Sequence, residues 1–245
     1  MTQPSRVLIA VATYNEMENL PSLVEEIRRH ADTADIVVVD DNSPDGTGKW
    51  CDERAKTDSR FHVIHREGKL GLGTATIAGL RYAMENNFDW VVTMDADFSH
   101  QPRYLPSLLA AAQDPVNQPD IVIGSRYVPG GGVEGWPPRR HIMSRCLNIY
   151  ARWMLGLKPR DCSGAFRCFR VELLRRIDWQ TLRSRGYSFF EEILWKLQRA
   201  GARIREVPII FVDRTQGRSK ISSREAWDAL WIIFQMSLGR WFSGP

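Results

Sequence analysis

The feature that most constrains this chain is the run Val91-Val92-Thr93-Met94-Asp95-Ala96-Asp97-Phe98-Ser99-His100, an apolar stretch that stops at two carboxylates one residue apart. Residues 88–94 lack clean alternation and are rich in β-branched and aromatic side chains, as in a central parallel strand covered on both faces. Such a strand calls for an α/β fold, with helices packed on each side of a mostly parallel sheet. Its carboxylates then fall at the carboxyl end of the strand, where open α/β sheets bind ligands. On extended backbone Asp95 and Asp97 point the same way and can share one hard divalent cation. A strand ending in a solvated Asx turn gives the same pattern, so spacing alone leaves both readings open.

With 245 residues and 43% hydrophobic content, the chain can bury one large core, as a single domain with or without an appendage. Cys51, Cys146, Cys162 and Cys168 show no paired metal-site spacing, and the N-terminus lacks a signal-peptide apolar region. Both features point to a reducing cytosol, with the thiols as small buried side chains. Charge is uneven: residues 1–124 carry 11 Lys+Arg against 19 Asp+Glu, and residues 125–245 carry 22 against 10. An acidic half suits a metal-bearing site, whereas a basic half suits a phosphate-bearing partner, an anionic membrane surface, or simply a solvated face.

In chain order, residues 6–12 form a short apolar strand ending in Thr13-Tyr14-Asn15-Glu16, and Leu20, Leu23, Val24, Ile27 and Ala31 recur at helical spacing. A second strand, 36–39, runs into Asp40-Asp41-Asn42-Ser43-Pro44-Asp45-Gly46-Thr47, so a second strand also delivers acids to the sheet edge. Part of that polarity is turn chemistry. Residues 61–65 form a third strand, and the glycine-rich entry at 68–75 leads into a helix through Met84. A glycine-rich entry to a helix N-terminus can hold an anion, but this one lacks the ending of a phosphate-binding Walker loop, which favours tight helix-to-sheet packing. Pro102 opens a helix through about 113, and 120–124 form a fifth strand ending in Ser125-Arg126-Tyr127. The strand–helix alternation predicts parallel strands joined by right-handed crossovers. Residues 128–138 are too rich in glycine and proline for either element and read as a long mobile loop. Arg139, Arg140 and Arg145 follow at the start of an apolar helix, where they hold a phosphate or cover the surface. Residues 161–167 precede a short helix, 186–201 hold a longer one, and a last strand, 207–212, leads into Asp213-Arg214-Thr215-Gln216-Gly217-Arg218-Ser219-Lys220.

Taken together, Thr13-Tyr14-Asn15-Glu16, Val39-Asp40-Asp41-Asn42-Ser43-Pro44-Asp45-Gly46-Thr47, Met94-Asp95-Ala96-Asp97-Phe98-Ser99-His100, Gly124-Ser125-Arg126-Tyr127 and Val212-Asp213-Arg214 ahead of Gly217, Ser219 and Lys220 resemble a known family. It is that of the inverting glycosyltransferases of GT-A fold (family 2), and within it the dolichol-phosphate or polyprenol-phosphate mannose synthases. The resemblance implies a Rossmann-like single catalytic domain, 1–223, with a C-terminal helical appendage, 224–245. It implies that Ala12, Tyr14, Glu16, Val38 and Asp40 line the pocket for a guanine nucleotide. Asp95 and Asp97 would hold the metal, Mg²⁺ or Mn²⁺, with Ala96 touching the nucleotide. Arg214 and Lys220 would reach the donor, GDP-mannose, and Arg126, Arg140 and Ser144 would hold the phosphate of a polyprenyl or dolichyl acceptor. The sequence departs from the family's pattern at Ala12, where proline is usual, at Ser99, where some members place a metal-ligating glutamine, and at Phe190, where glutamine is common.

The chemistry so implied is transfer of mannose with inversion. The metal, Arg214 and Lys220 would neutralise the departing diphosphate, and Arg126 and Arg140 would orient an already ionised lipid phosphate that needs no general base. Rival readings are a related transferase using another sugar such as glucose or another acceptor, and a non-catalytic nucleotide-sugar-binding subunit, which the intact Asp-x-Asp opposes. A nicotinamide-dependent oxidoreductase is opposed by the lack of a glycine-rich turn after the first strand. No nucleic-acid partner is expected. The last helix, 224–242, carries Trp227, Leu230, Trp231, Phe234, Leu238 and Trp241 as one apolar stripe but is short and interrupted by Asp228, Gln235 and Arg240. It therefore reads as a peripheral contact on the cytoplasmic face of a membrane, or as packing on the protein's own core.

Overall fold

The computed structural model describes residues 5–184, 186, 188–213 and 230–238. Its main sheet is built from β1 (Val7–Thr13), β2 (Asp35–Asp40), β3 (Phe61–His65), β4 (Trp90–Asp95) and β5 (Ile121–Ser125). A short β6 (Gly132–Glu134) follows, then β7 (Arg167–Arg170), β8 (Ile204–Pro208) and β9 (Ile210–Val212). Seven strands line up in the order β3-β2-β1-β4-β7-β5-β8, and β6 and β9 pair separately. All pairings in the large sheet are parallel except those of β7, which runs antiparallel between β4 and β5. The expected mostly parallel sheet is therefore present.

Alternation along each strand feeds two separate cores, as a pleated sheet covered on both faces requires. Ile9, Val11, Val38, Val92 and Val122 pack on one face with α1 (Leu20–His30) and α4 (Leu105–Ala112), while Cys51 adds α2 (Thr47–Thr57). Leu8, Val37, Val91, Ile121 and Ile123 pack on the other with α3 (Leu72–Glu85), α5 (Pro138–Leu155), the single turn α6 (Val171–Leu174) and α7 (Phe189–Arg199). Gly79 lets α3 approach β1 closely, since a Cβ there would lie 2.8 Å from that of Ala10. Gly156, left-handed at φ 67°, ends α5.

Several sequence expectations need correction. Residues 167–170 form β7 and not a direct lead into a helix, because Arg167 is fully buried and its charge disguises a core strand. The segment 207–212 breaks at Ile209 into β8 and β9, and the glycine-rich loop contributes β6, which pairs with β9. Helix α2, buried only at Thr47, Gly48 and Cys51, has too little apolar periodicity to be read from sequence. Cys146 is exposed, unlike the other three thiols.

Residues 230–238 are helical and are called α8. Ile233 and Met236 belong to the second core, whereas Trp231, Phe234 and Leu238 are exposed. The anticipated stripe thus faces outward where it is described; Trp227 and Trp241 lie outside the described residues. Among the described residues no helix is long and apolar enough to cross a membrane.

Candidate active site

The carboxyl ends of β1, β2 and β4 lie side by side, with Thr13 in register with Asp40 and Ala12 with Asp95. Each strand leaves the sheet through a turn that holds one residue at positive φ: Asn15 at 60°, Asn42 at 58° and Phe98 at 60°. Asparagine tolerates that region, but a phenylalanine there is strained and persists only when its surroundings fix it. Two bonds fix this turn: the Asp95 amide donates to His100 Nδ1 at 3.1 Å and the Ser99 amide donates to Asp97 Oδ1 at 3.1 Å. His100 must therefore carry no proton on Nδ1, and burial keeps it neutral by lowering its pKa to about 4.

Asp95 and Asp97 are both half-buried with Ala96 buried between them, the alternation that turns two carboxylates outward together. Among the described residues no group of three or more His, Cys, Asp or Glu side chains assembles. The pair suits a Mg²⁺-like ion, which is commonly held by one or two carboxylates and completed by substrate phosphates and water. The Ser99 hydroxyl is buried and has no hydrogen-bond partner among the described residues.

The nucleotide side of the crevice is braced loop against loop. The Asn15 amide donates to Ser43 Oγ at 2.9 Å, the Glu16 amide to Thr47 Oγ1 at 3.2 Å, and the Met17 amide to Asp45 Oδ2 at 3.0 Å. Burial works against the charge of Asp45, but hydrogen bonds from Thr47 and Met17 hold its pKa below the usual range. Asp40, almost fully buried, accepts from the Ser43 amide at 3.1 Å and from the Ser43 hydroxyl at 2.5 Å. Gly48 is required beside it, because a Cβ would come within 2.9 Å of its carboxylate. Tyr14 is exposed at the rim, with Lys69 Nζ 4.7 Å from its ring centroid. Val38 departs from its expected place: its side chain is fully buried in the core beneath the crevice and does not reach the opening.

Across the crevice, Arg126 follows β5 and is held by a fork from Asp161. Nε donates to Oδ2 at 2.7 Å, Nη2 donates to Oδ1 at 2.7 Å, and Nη2 also donates to Ser163 Oγ at 2.9 Å. Burial alone would lower the pKa of Arg126, but the Asp161 charge raises it above the ordinary value; burial likewise opposes the Asp161 charge, and Arg126 holds its pKa down. The side-chain bonds of Arg126 run from Nε and Nη2, and the residue as a whole is buried.

Arg140, Ser144 and Asn148 follow one another at four-residue spacing on one face of α5. Arg140 Nη1 donates to both oxygens of Asp213 at 2.9 Å, Ser144 Oγ lies 2.7 Å from the Tyr127 hydroxyl, and Asn148 Nδ2 donates to Ser144 O at 2.9 Å and Ser163 Oγ at 3.1 Å. Arg126 and Ser144, two of the three residues expected to hold an acceptor phosphate, are thus tied together through Ser163 and Asn148, while Arg140 is held separately by Asp213. Trp136, from the glycine-rich loop, joins the two arginines, with Arg140 Cζ 4.2 Å and Arg126 Cζ 5.6 Å from its ring centroids. Phe211 stacks edge-on to Trp136 at 5.4 Å and to His100 at 5.5 Å, connecting the Asp-x-Asp turn to the basic clamp. The Val212 amide donates to Ser99 O at 3.3 Å, so the chain leaves β9 beside that turn. Arg214 and Lys220 lie outside the described residues.

Sequence reasoning did not single out Asp161, Ser163, Trp136, Phe211 or Asn148. Only Asp161-Cys162-Ser163-Gly164, a polar cluster with a glycine, carried a local signal; the others matter through contacts distant in sequence.

The glycosyl transferase family 2 profile matches residues 8–178. An undecaprenyl-phosphate mannosyltransferase of Micrococcus luteus is 45% identical over 237 residues, covering 96% of each chain. A polyprenol monophosphomannose synthase of Mycolicibacterium smegmatis is 41% identical over 95% of this chain and 87% of its own. Among solved structures, a mannosyltransferase of Pyrobaculum calidifontis in complex with GDP-Man and Mn²⁺ superposes with a TM-score of 0.61 at 19% identity, over 98% of this chain and 65% of that one. That likeness gives the fold, the GT-A arrangement of a mostly parallel sheet. On the profile and the two near-full-length relatives, this chain belongs to glycosyl transferase family 2.

Proposed function

We propose that this protein is a polyprenyl-phosphate mannosyltransferase, moving mannose from GDP-mannose to a polyprenyl or dolichyl phosphate with inversion and releasing GDP. The observation that carries this reading is the placement of a two-carboxylate turn opposite a two-arginine clamp, joined through Phe211 and Trp136. The mannosyl donor and lipid acceptor follow from the names of the two relatives that match almost the whole chain.

Each end of the crevice has its own task. Asp95 and Asp97 would hold a divalent ion, Mg²⁺ or Mn²⁺, which would supply positive charge against the departing diphosphate. Asp40, Tyr14, Glu16 and Ala12, with Ala96 below, form the nucleotide side, and the loops braced by Ser43, Asp45 and Thr47 keep that side in shape without a ligand. Arg214 and Lys220 are assigned to the donor on the family's pattern. Arg126, Arg140 and Ser144 receive the acceptor phosphate. Because a phosphate is ionised near neutral pH, the clamp has only to orient it. Asp161 keeps Arg126 aimed at the crevice, a positioning role.

Residues 1–223 form the catalytic unit and 224–245 an appendage whose described part, α8, packs on it through Ile233 and Met236. The protein is placed peripherally on the cytoplasmic face of a membrane: its acceptor is a lipid, its thiols are free, and α5 and α8 expose Ile142, Ile149, Trp153, Trp231, Phe234 and Leu238.

The test is to incubate the protein with a panel of radiolabelled nucleotide sugars and a polyprenyl phosphate, with Mg²⁺, with Mn²⁺ and with chelator, and to extract the lipid. Metal-dependent labelling from GDP-mannose is expected. Labelling from another nucleotide sugar in preference, or none from any, overturns the assignment.

A further inference from the structure

Beyond Tyr127, on the outer side of α5, lies a cavity of about 390 Å³ lined by Tyr127, Arg145, Asn148, Ile149, Arg152 and Arg160. Three of its six walls are arginines and none is a carboxylate. Arg145, Ile149 and Arg152 come from one face of α5 at three- to four-residue spacing. Arg160 comes from the connection after that helix.

Arg145 and Arg160 are exposed and Arg152 is partly buried. Among the described residues none of the three guanidinium groups forms an ion pair, and Arg152 Nε is buried without a hydrogen-bond partner. The nearby acids are engaged elsewhere: Glu206 accepts from the amides of Arg160 at 2.8 Å and Asp161 at 3.0 Å, and Asp161 is forked by Arg126. A buried N–H left unpaired is costly, and arginine forks match phosphate oxygens. Three guanidinium groups that form no ion pair among the described residues, one with an unpaired Nε, suit an oxyanion.

The rim identifies which oxyanion. Ile149 is both a wall of the cavity and 63% exposed, and Ile142 and Trp153, two turns and one turn away along the same helical face, are 64% and 69% exposed. On the neighbouring α8, Trp231 and Phe234 are also exposed, and α8 meets α5 where the Tyr150 hydroxyl donates to Leu230 O at 3.4 Å. A phosphate pocket opening beside an exposed apolar strip fits a ligand with a charged head and an apolar body held at a surface.

We propose that this pocket, which borders the acceptor residues through Tyr127 and Asn148, seats the phosphate of an anionic phospholipid in the bilayer beside that of the acceptor, and so fixes how the enzyme lies on the membrane. The inference rests on the peripheral-membrane reading above and names the lipid chemistry that the surface takes.

The test compares the intact protein with R152Q/R160Q by co-sedimentation with vesicles of phosphatidylcholine alone and with added phosphatidylglycerol, at physiological salt. Transfer to a short-chain, water-soluble polyprenyl phosphate without vesicles is measured in parallel. The double substitution should weaken binding to the anionic vesicles by about 10- to 30-fold, as expected for two arginines at a charged surface. Binding to phosphatidylcholine and soluble transfer should not change, the latter also showing that the variant is folded. R152K/R160K should recover most of the anionic-vesicle binding. Equal binding of the glutamine variant and the parent to anionic vesicles overturns the pocket while leaving the membrane reading in place. Loss of soluble transfer with vesicle binding intact assigns the pocket to the acceptor and overturns the proposal. Release of the parent from anionic vesicles by millimolar inorganic phosphate at constant ionic strength marks a free-phosphate site and also overturns it. If the parent binds neither vesicle, the peripheral reading itself has failed.

Discussion

At the scale of single residues, the crevice separates groups that bind from groups that aim. Asp97→Asn removes a metal-ligand charge from a half-buried turn whose backbone bonds remain, so the fold should persist while metal-dependent transfer falls by at least about 100-fold, the scale seen when transition-state charge stabilisation is lost. Circular dichroism with a radiolabel assay checks both halves, and substantial remaining turnover would sink the metal assignment. Arg140→Ala should raise the acceptor KM and leave that of the donor unchanged. A lost charged hydrogen bond is worth about 1.5 to 3 kcal/mol, or roughly 10- to 150-fold; a rise confined to the donor KM would move Arg140 to the other substrate. Asp161→Asn leaves Arg126 buried without its counter-charge and should destabilise the protein by about 3 to 5 kcal/mol, measurable by urea unfolding.

Among elements, β7 is the least expected, and it bonds to α7, which falls within the helix read over 186–201. Arg167, on β7 and fully buried, donates to Phe190 O at 2.7 Å and to Cys162 O at 2.5 Å, with its guanidinium 5.3 Å over the Phe190 ring. Phe190, the departure from the family's usual glutamine, therefore acts as core packing for that charge. Beside it on α7, burial pushes Glu191 up to about 7 from an ordinary 4.5, with Arg167 only partly opposing the rise. A carboxyl whose pKa is raised on folding contributes stability that is fully present below its unfolded value and is lost as pH climbs through the folded one. Between about pH 4.5 and 7 the wild-type protein should lose on the order of 1 to 3 kcal/mol through this group. Glu191→Gln matches the neutral acid, so its unfolding free energy should track the wild type near pH 5 and exceed it near pH 8. Parallel pH profiles for the two proteins would show that Glu191 titrates normally.

For the whole molecule, the exposed strip on α5 and α8 faces away from the second core that the same helices build. Because Ile233 and Met236 belong to that core, removing the last helix would disturb the fold, and substitution on its outer face is the cleaner probe. W153E/W231E should weaken co-sedimentation with neutral and anionic vesicles alike, by about 2 kcal/mol or more for two lost aromatic side chains. Transfer to a detergent-dispersed acceptor should continue. Unchanged vesicle binding by this folded variant would mean that the strip meets something other than lipid.

The sequence by itself determined the strands that end in acids, the helices between strands other than α2, and the crevice these ends must share. Period and composition are local quantities, and Asp40, Asp95 and Asp97 announce themselves directly after apolar runs. It also carried the basic α5, since Arg140 and Ser144 sit four apart on one helix. Tertiary structure alone decided what the charged side chains do. Asp161 and Arg126 are 35 residues apart yet form a buried fork, Arg140 reaches 73 residues to Asp213, and Thr93 donates to Ala165 O across 72. It also decided that Arg167 lies in a core strand, that Val38 supports the nucleotide side from below, and that the apolar stripe of α8 turns outward. Each outcome depends on which surface folding brings opposite a residue, and neither hydrophobic period nor turn chemistry encodes that pairing.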